Sequence, residues 1–236
     1  MAEREATLEA VLDWLEAESS EQARDDLRRY GIPNDRAFGV AMGRLLAYAR
    51  KRPKDPALAS ALWADGRYEP RTLAVLLDDP RQLSPERMDA MVADFDNWAI
   101  CDTACFRLFD RAPGAWRAVP RWAASERLYT RRAGFALLWA LALHDEAAGD
   151  APFVEALALA ETHAVDPRPH VSKAISMSVR ALGKRNAALR AEALAWADRI
   201  DGRGRAPSRL AREVTRELSK APRGGAMTND QGEENA

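Results

Sequence analysis

The sequence predicts an all-α protein assembled as a solenoid of stacked, antiparallel helix pairs. Three observations carry this expectation. Alternating β-branched segments are absent, while Ala, Leu, Arg and Glu, all good helix formers, dominate. Proline, glycine and capping residues punctuate the chain at short intervals. The helices between them are short and tightly connected, as stacked hairpins require. No exact sequence period is visible, so the solenoid rests on element lengths, and a compact orthogonal bundle is its competitor.

In chain order the helices fall at roughly 4–18, 20–30, 38–52, 55–65, 68–78, 84–95, 97–110, 114–124, 127–147, 151–164, 169–184, 187–200 and 206–219. The second opens on SSEQ, a capping-box pattern with Ser19 as cap and Gln22 three residues on. Asp55-Pro56 opens the fourth, and SPER opens the sixth, with Ser84 as N-cap and Pro85 at the first helical position. The seventh lies in DFDNWAICDTACFRLF, Asp94 to Phe109, whose apolar residues recur at helical spacing. On the ninth, Leu128, Arg132, Phe135, Trp139 and Ala142 form one stripe. The eleventh follows the DPRP of Asp166 to Pro169 and turns Val171, Ala174, Ile175, Ser178, Val179 and Leu182 toward a core. Residues 1–220 thus read as one helical-repeat domain. Residues 221–236 are polar and Gly-rich without apolar periodicity, and read as a disordered tail.

Bulk properties narrow the function classes. Hydrophobic residues at 47% and charged residues at 30% suit a soluble globular chain with a real core. The net charge of -1 advertises no global attraction for nucleic acid, so any such partner must meet a local basic surface. The N-terminus is charged from its third residue, unlike a signal peptide. The longest apolar run, Ala133 to Leu143, is eleven residues and too short to span a bilayer. A cytoplasmic protein with no membrane association is expected. Cys101 and Cys105 lie four apart on one helix, and His144, His163 and His170 do not pair at ligand spacing. Two buried structural thiols are therefore expected, and no metal.

Three constellations are candidate functional features. Trp98 and Asp102, four apart, emerge side by side on one helix surface. The bland reading is a core tryptophan beside a solvated aspartate. Arg132 sits in line with large apolar residues, where an arginine snorkels, pairs with a carboxylate or grips a phosphate. Lys173, Met177, Arg180 and Lys184 share one face of the eleventh helix, and Arg185 and Asn186 extend it. That face is either a solvated basic surface or a strip that tracks phosphates, with one apolar residue in its middle.

Taken together, these stretches resemble the AlkD-like DNA alkylation repair family, the HEAT-like repeat DNA glycosylases. RRYGIPNDRAFGVAMGRLLAYAR (Arg28 to Arg50), DDPRQLSPERMDAMVADFDNWAICDTAC, RRAGFALLW and GKRN follow in the family's order, and the likeness covers roughly residues 20–218. The resemblance implies a curved right-handed α-α superhelix of HEAT-like pairs whose concave face holds duplex DNA. It implies a glycosylase that hydrolyses the N-glycosidic bond of cationic alkylated purines without base flipping, as a monomer and with no cofactor. Trp98 and Asp102 match the catalytic pair, and Arg132 matches the DNA-gripping arginine. One departure stands out. KAISM places Met177 where the family carries a second tryptophan, which offers the alternative of a non-catalytic binder of damaged or branched DNA. A protein-binding scaffold without DNA affinity is the third reading.

Overall fold

The computed structural model describes residues 7–33 and 35–220. The segment 221–236, expected to be a disordered tail, lies outside the described residues, as do positions 4–6 of the first expected helix. Thirteen α-helices and no strand occur among the described residues. They are α1 (Leu8–Ala17), α2 (Glu21–Arg29), α3 (Met42–Arg50), α4 (Pro56–Asp65), α5 (Tyr68–Leu77), α6 (Pro85–Ala93), α7 (Trp98–Arg107), α8 (Ala115–Ala123), α9 (Leu128–His144), α10 (Ala151–His163), α11 (Pro169–Leu182), α12 (Ala187–Ile200) and α13 (Arg205–Leu218).

The helix starts follow local chemistry. Asp55, Ser84, Asn97 and Asn186 each turn a side-chain oxygen onto a backbone N–H of the first turn, satisfying a donor that the helix itself leaves free. The cap of α2 sits one residue later than the capping box predicts: Ser20, not Ser19, accepts from the Ala23 N–H at 3.2 Å. Gln22 turns to Asp26 instead.

α3 starts at Met42, four residues later than the pattern suggests. The reason is long-range. The fully buried Glu69 carboxylate of α5 accepts from the N–H groups of Phe38, Gly39 and Val40 at 3.1, 2.7 and 3.3 Å, which holds that segment out of the helix. Gly39 has φ +82, and a Cβ there would lie 2.4 Å from the Ser20 carbonyl oxygen, so the close approach needs glycine. α7 and α9 end three residues short of their expected limits, at Arg107 and His144, and a single 3₁₀ turn (Phe109–Arg111) follows α7.

Two layers result. α3, α5, α7, α9, α11 and α13 pack each on the next to form one layer, and α4, α6, α8, α10 and α12 back it. The apolar core runs through both layers as two adjoining clusters, one over 11–77 and one over 75–218, with Trp63 packed against each. This is the succession of nearest-neighbour interfaces that a helical solenoid builds, and not an orthogonal bundle around one centre. Cys101 and Cys105 are buried free thiols directed at the Tyr129 and Ala133 carbonyls, so they fill the α7–α9 seam as structural residues. No helix among the described residues is long and apolar enough to cross a membrane.

Candidate active site

The centre of the first layer carries a cleft of about 340 Å³ between α7, α9 and α11. Trp98 and Asp102 come from α7, Arg132 and Trp139 from α9, and His170, Lys173 and Met177 from α11. Close packing positions these walls. Gly134 lies at the α8–α9 contact, where a Cβ would fall 2.5 Å from the Ala123 nitrogen. The absent side chain lets α9 approach α8, and Arg132, half a turn earlier, is set at the cleft floor.

Arg132 and Asp102 form a two-pronged pair. Nε and Nη2 of Arg132 donate to Oδ1 and Oδ2 of Asp102 at 2.9 and 2.6 Å. Nη1 donates to the His170 carbonyl at 2.6 Å. Three of the five guanidinium N–H donors are thereby used, and the residue is only 4% exposed. Of the roles that the sequence leaves open, pairing with a carboxylate is the one present. Arg132 holds Asp102.

Burial pushes the Asp102 carboxyl above the ordinary aspartate range, against the opposing pull of the Arg132 hydrogen bonds and charge. Asp102 keeps 18% of its side chain exposed, so the carboxylate still meets the cleft. Burial, then the Arg132 charge, lowers the pKa of His170, which favours its neutral imidazole.

Trp98 opens α7 and is half-buried. Its Nε1–H donates to the Tyr30 carbonyl at 3.0 Å, which fixes the indole edge. Tyr30 itself is 61% exposed. Across the cleft Trp139 meets Phe106 edge-to-face, with ring centroids 4.5 Å apart. Beyond Asp102 and Trp139 the cleft continues into a second depression lined by Met42, Leu46, Leu76, Phe106 and His144.

The predicted basic strip divides. Lys173 and Met177 line the cleft. Arg180 and Lys184 are instead drawn to Glu217 of α13, at 3.3 and 2.5 Å. Arg185 turns inward: its guanidinium donates to the Ala142, Asp145 and Ala148 carbonyls and lies 4.3 Å from the Phe153 ring centroid. It ties down the chain at the end of α9 and does not extend a phosphate track. Asn186 caps α12.

Sequence reasoning underused Trp139. It follows Arg132 by seven residues, which is two turns and the same face, so the signal was present. His170 and Tyr30 reach the site through backbone carbonyls, which leave no signal in side-chain spacing. No group of three or more His, Cys, Asp or Glu side chains that could hold a metal occurs among the described residues.

The fold and the cleft define a helical-repeat protein with a paired carboxylate set between two tryptophans. The chain belongs to the DNA alkylation repair enzyme family, whose model matches residues 11–217. It is similar in structure to a protein described as belonging to "a new family of proteins related to the HEAT-like repeat DNA glycosylases with affinity for branched DNA structures". The TM-score is 0.75 at 20% identity, over 90% of this chain and 96% of that one, and the HEAT-like repeat fold is shared. No curated protein sequence matches.

Proposed function

We propose that the protein binds duplex DNA and hydrolyses the N-glycosidic bond of cationic alkylated purines, without a metal or dissociable cofactor. The observation that carries this reading is the Asp102 carboxylate, held by Arg132 in a cleft walled by Trp98 and Trp139.

The chemistry fits these groups. An alkylated purine already bears positive charge, so the C1′–N bond breaks with its electron pair leaving on a neutral base. No general acid is needed, and one carboxylate suffices where glycosidases acting on sugars commonly need two. Positive charge moves to the deoxyribose, where the Asp102 carboxylate stabilises it. A water adds at C1′ and loses its proton to Asp102 or to solvent. The indole faces hold the cationic base through their quadrupoles, each for roughly 0.5–2 kcal/mol. Arg132 aims the carboxylate. A raised pKa makes Asp102 a stronger base than an ordinary aspartate.

The decisive experiment is single-turnover release of free alkylpurine from a methylated duplex, run beside Asp102→Asn. The expected outcome is release by the parent and a loss of about 10²–10³-fold in the variant, the scale of removing one preorganised electrostatic group. Met177, which offers no aromatic face, favours a second reading: a non-catalytic binder of damaged or branched DNA. Unchanged release in Asp102→Asn would refute the carboxylate's role. No release by a folded, DNA-binding parent would select the second reading.

A further inference from the structure

We infer that α13 carries a second nucleic-acid contact surface, a stripe of arginines that grips the phosphate backbone of duplex DNA beside the cleft. The inference rests on the DNA-binding reading above. Arg205, Arg209, Arg212 and Arg216 follow at spacings of four, three and four, and all four are exposed. At 100° per residue they fall on one narrow face. The opposite face, with Leu210, Ala211, Val214 and Leu218, is buried. The stripe is therefore not an incidental scatter of surface charge but the solvent side of an amphipathic helix.

Its acids are committed elsewhere. Glu213 accepts from the Ser176 hydroxyl at 2.7 Å, and Glu217 holds Lys184 and Arg180. Other exposed arginines of this protein are neutralised by carboxylates, as Arg199 and Arg203 are by Glu161. Arg205, Arg212 and Arg216 have no ion pair among the described residues. This is the local basic surface that a chain of net charge -1 needs if it is to meet DNA.

Placement supports a phosphate partner. Arg209 donates to the Ser172 hydroxyl of α11 at 2.8 Å, so the stripe lies against the helix whose Lys173 and Met177 line the cleft. Packed helices stand about 8–10 Å apart, which puts the stripe about one helix width from the cleft wall. From Arg205 to Arg216 the helix rises about 16 Å. That matches roughly five phosphates of one strand at about 3.4 Å each. Arginine forks also suit phosphate better than lysine does.

The test is a triple substitution, Arg205→Gln with Arg212→Gln and Arg216→Gln, which leaves the cleft and the Arg209–Ser172 contact in place. Affinity for an unmodified 30-base-pair duplex is measured by fluorescence anisotropy across a salt series. Circular dichroism and thermal melting check that the exposed substitutions leave the fold intact. Each phosphate contact contributes about 0.9 to the slope of log K against log salt, so the slope should fall by about 3 and affinity by about tenfold or more. A parent that binds with salt dependence and a variant with the same slope and affinity would overturn the stripe alone. A parent that binds no duplex at any salt would overturn the DNA reading, and the stripe with it.

Discussion

Arg132 grips both carboxylate oxygens of Asp102 while resting a third donor on the His170 carbonyl. One guanidinium thus fixes α7, α9 and α11 relative to one another at the cleft floor. The pair is nearly closed to solvent, and breaking a buried pair by removing one partner costs about 3–5 kcal/mol, because a charge is left uncompensated. The site therefore contributes to its own scaffold.

Arg132→Lys separates aiming from charge. Lysine keeps the positive charge but has no planar fork, so it cannot hold both oxygens. Base release should fall by about 10-fold or more, as expected of a misaimed group. Duplex affinity at matched salt should stay near the parental value. If affinity collapses while the single-turnover rate survives, Arg132 touches phosphate after all.

The pH dependence has a defined direction. In the proposed reaction base release needs the Asp102 carboxylate ionised, and burial raises its pKa above the ordinary 3.8. As pH falls, activity should therefore be lost through a midpoint above that value. The profile is measured as release rate minus the enzyme-free rate, since acid alone also liberates these bases. A midpoint at or below 3.8 would show that the Arg132 charge outweighs burial.

The aromatic walls can be tested in opposite directions. Trp139→Leu removes one indole face and should slow release by about 2- to 30-fold, the range of a single cation–π contact. Met177→Trp adds a face to the same cleft and should accelerate release by a comparable factor. A folded Met177→Trp protein with no gain would place that position away from the lesion.

Glu217 restrains the outer part of the predicted strip. Lys184 and Arg180 pull its carboxyl down to about 2, so it stays charged through the neutral range and keeps both cations engaged. Glu217→Gln frees them. Duplex affinity should rise and become more salt-dependent, with the slope steeper by about 1–2. An unchanged slope in salt titrations would mean that Arg180 and Lys184 lie off the DNA path.

The sequence made most helices legible because their boundaries are local. Ser84-Pro85 and Asp55-Pro56 satisfy first-turn donors with nearby atoms, and no tertiary contact is needed to read them. Trp98 and Asp102 were legible for the same reason, being one turn apart on α7. What escaped depends on distant partners. Glu69 displaces the start of α3 from about thirty residues away. Arg180 and Lys184 looked like a free strip because Glu217 reaches them from another helix. Arg185 looked like their continuation, yet it meets carbonyls some forty residues earlier. Arg132 stands out in the sequence by its place in an apolar stripe, but whether it meets a phosphate or a carboxylate depends on how α9 sits against α7, which spacing alone does not encode.

The tie between the Trp98 indole and the Tyr30 carbonyl spans 68 positions of the chain. Tyr30 closes α2, five helices before the α7 that carries Trp98. The cleft is thus steered from the second helix, like a rudder worked from the bow. A shortened protein holding only the central repeats would retain the aspartate and its arginine, yet the ring beside them would swing unmoored. Economy of length is closed to this architecture: the first repeats belong to the cleft as much as to the scaffold.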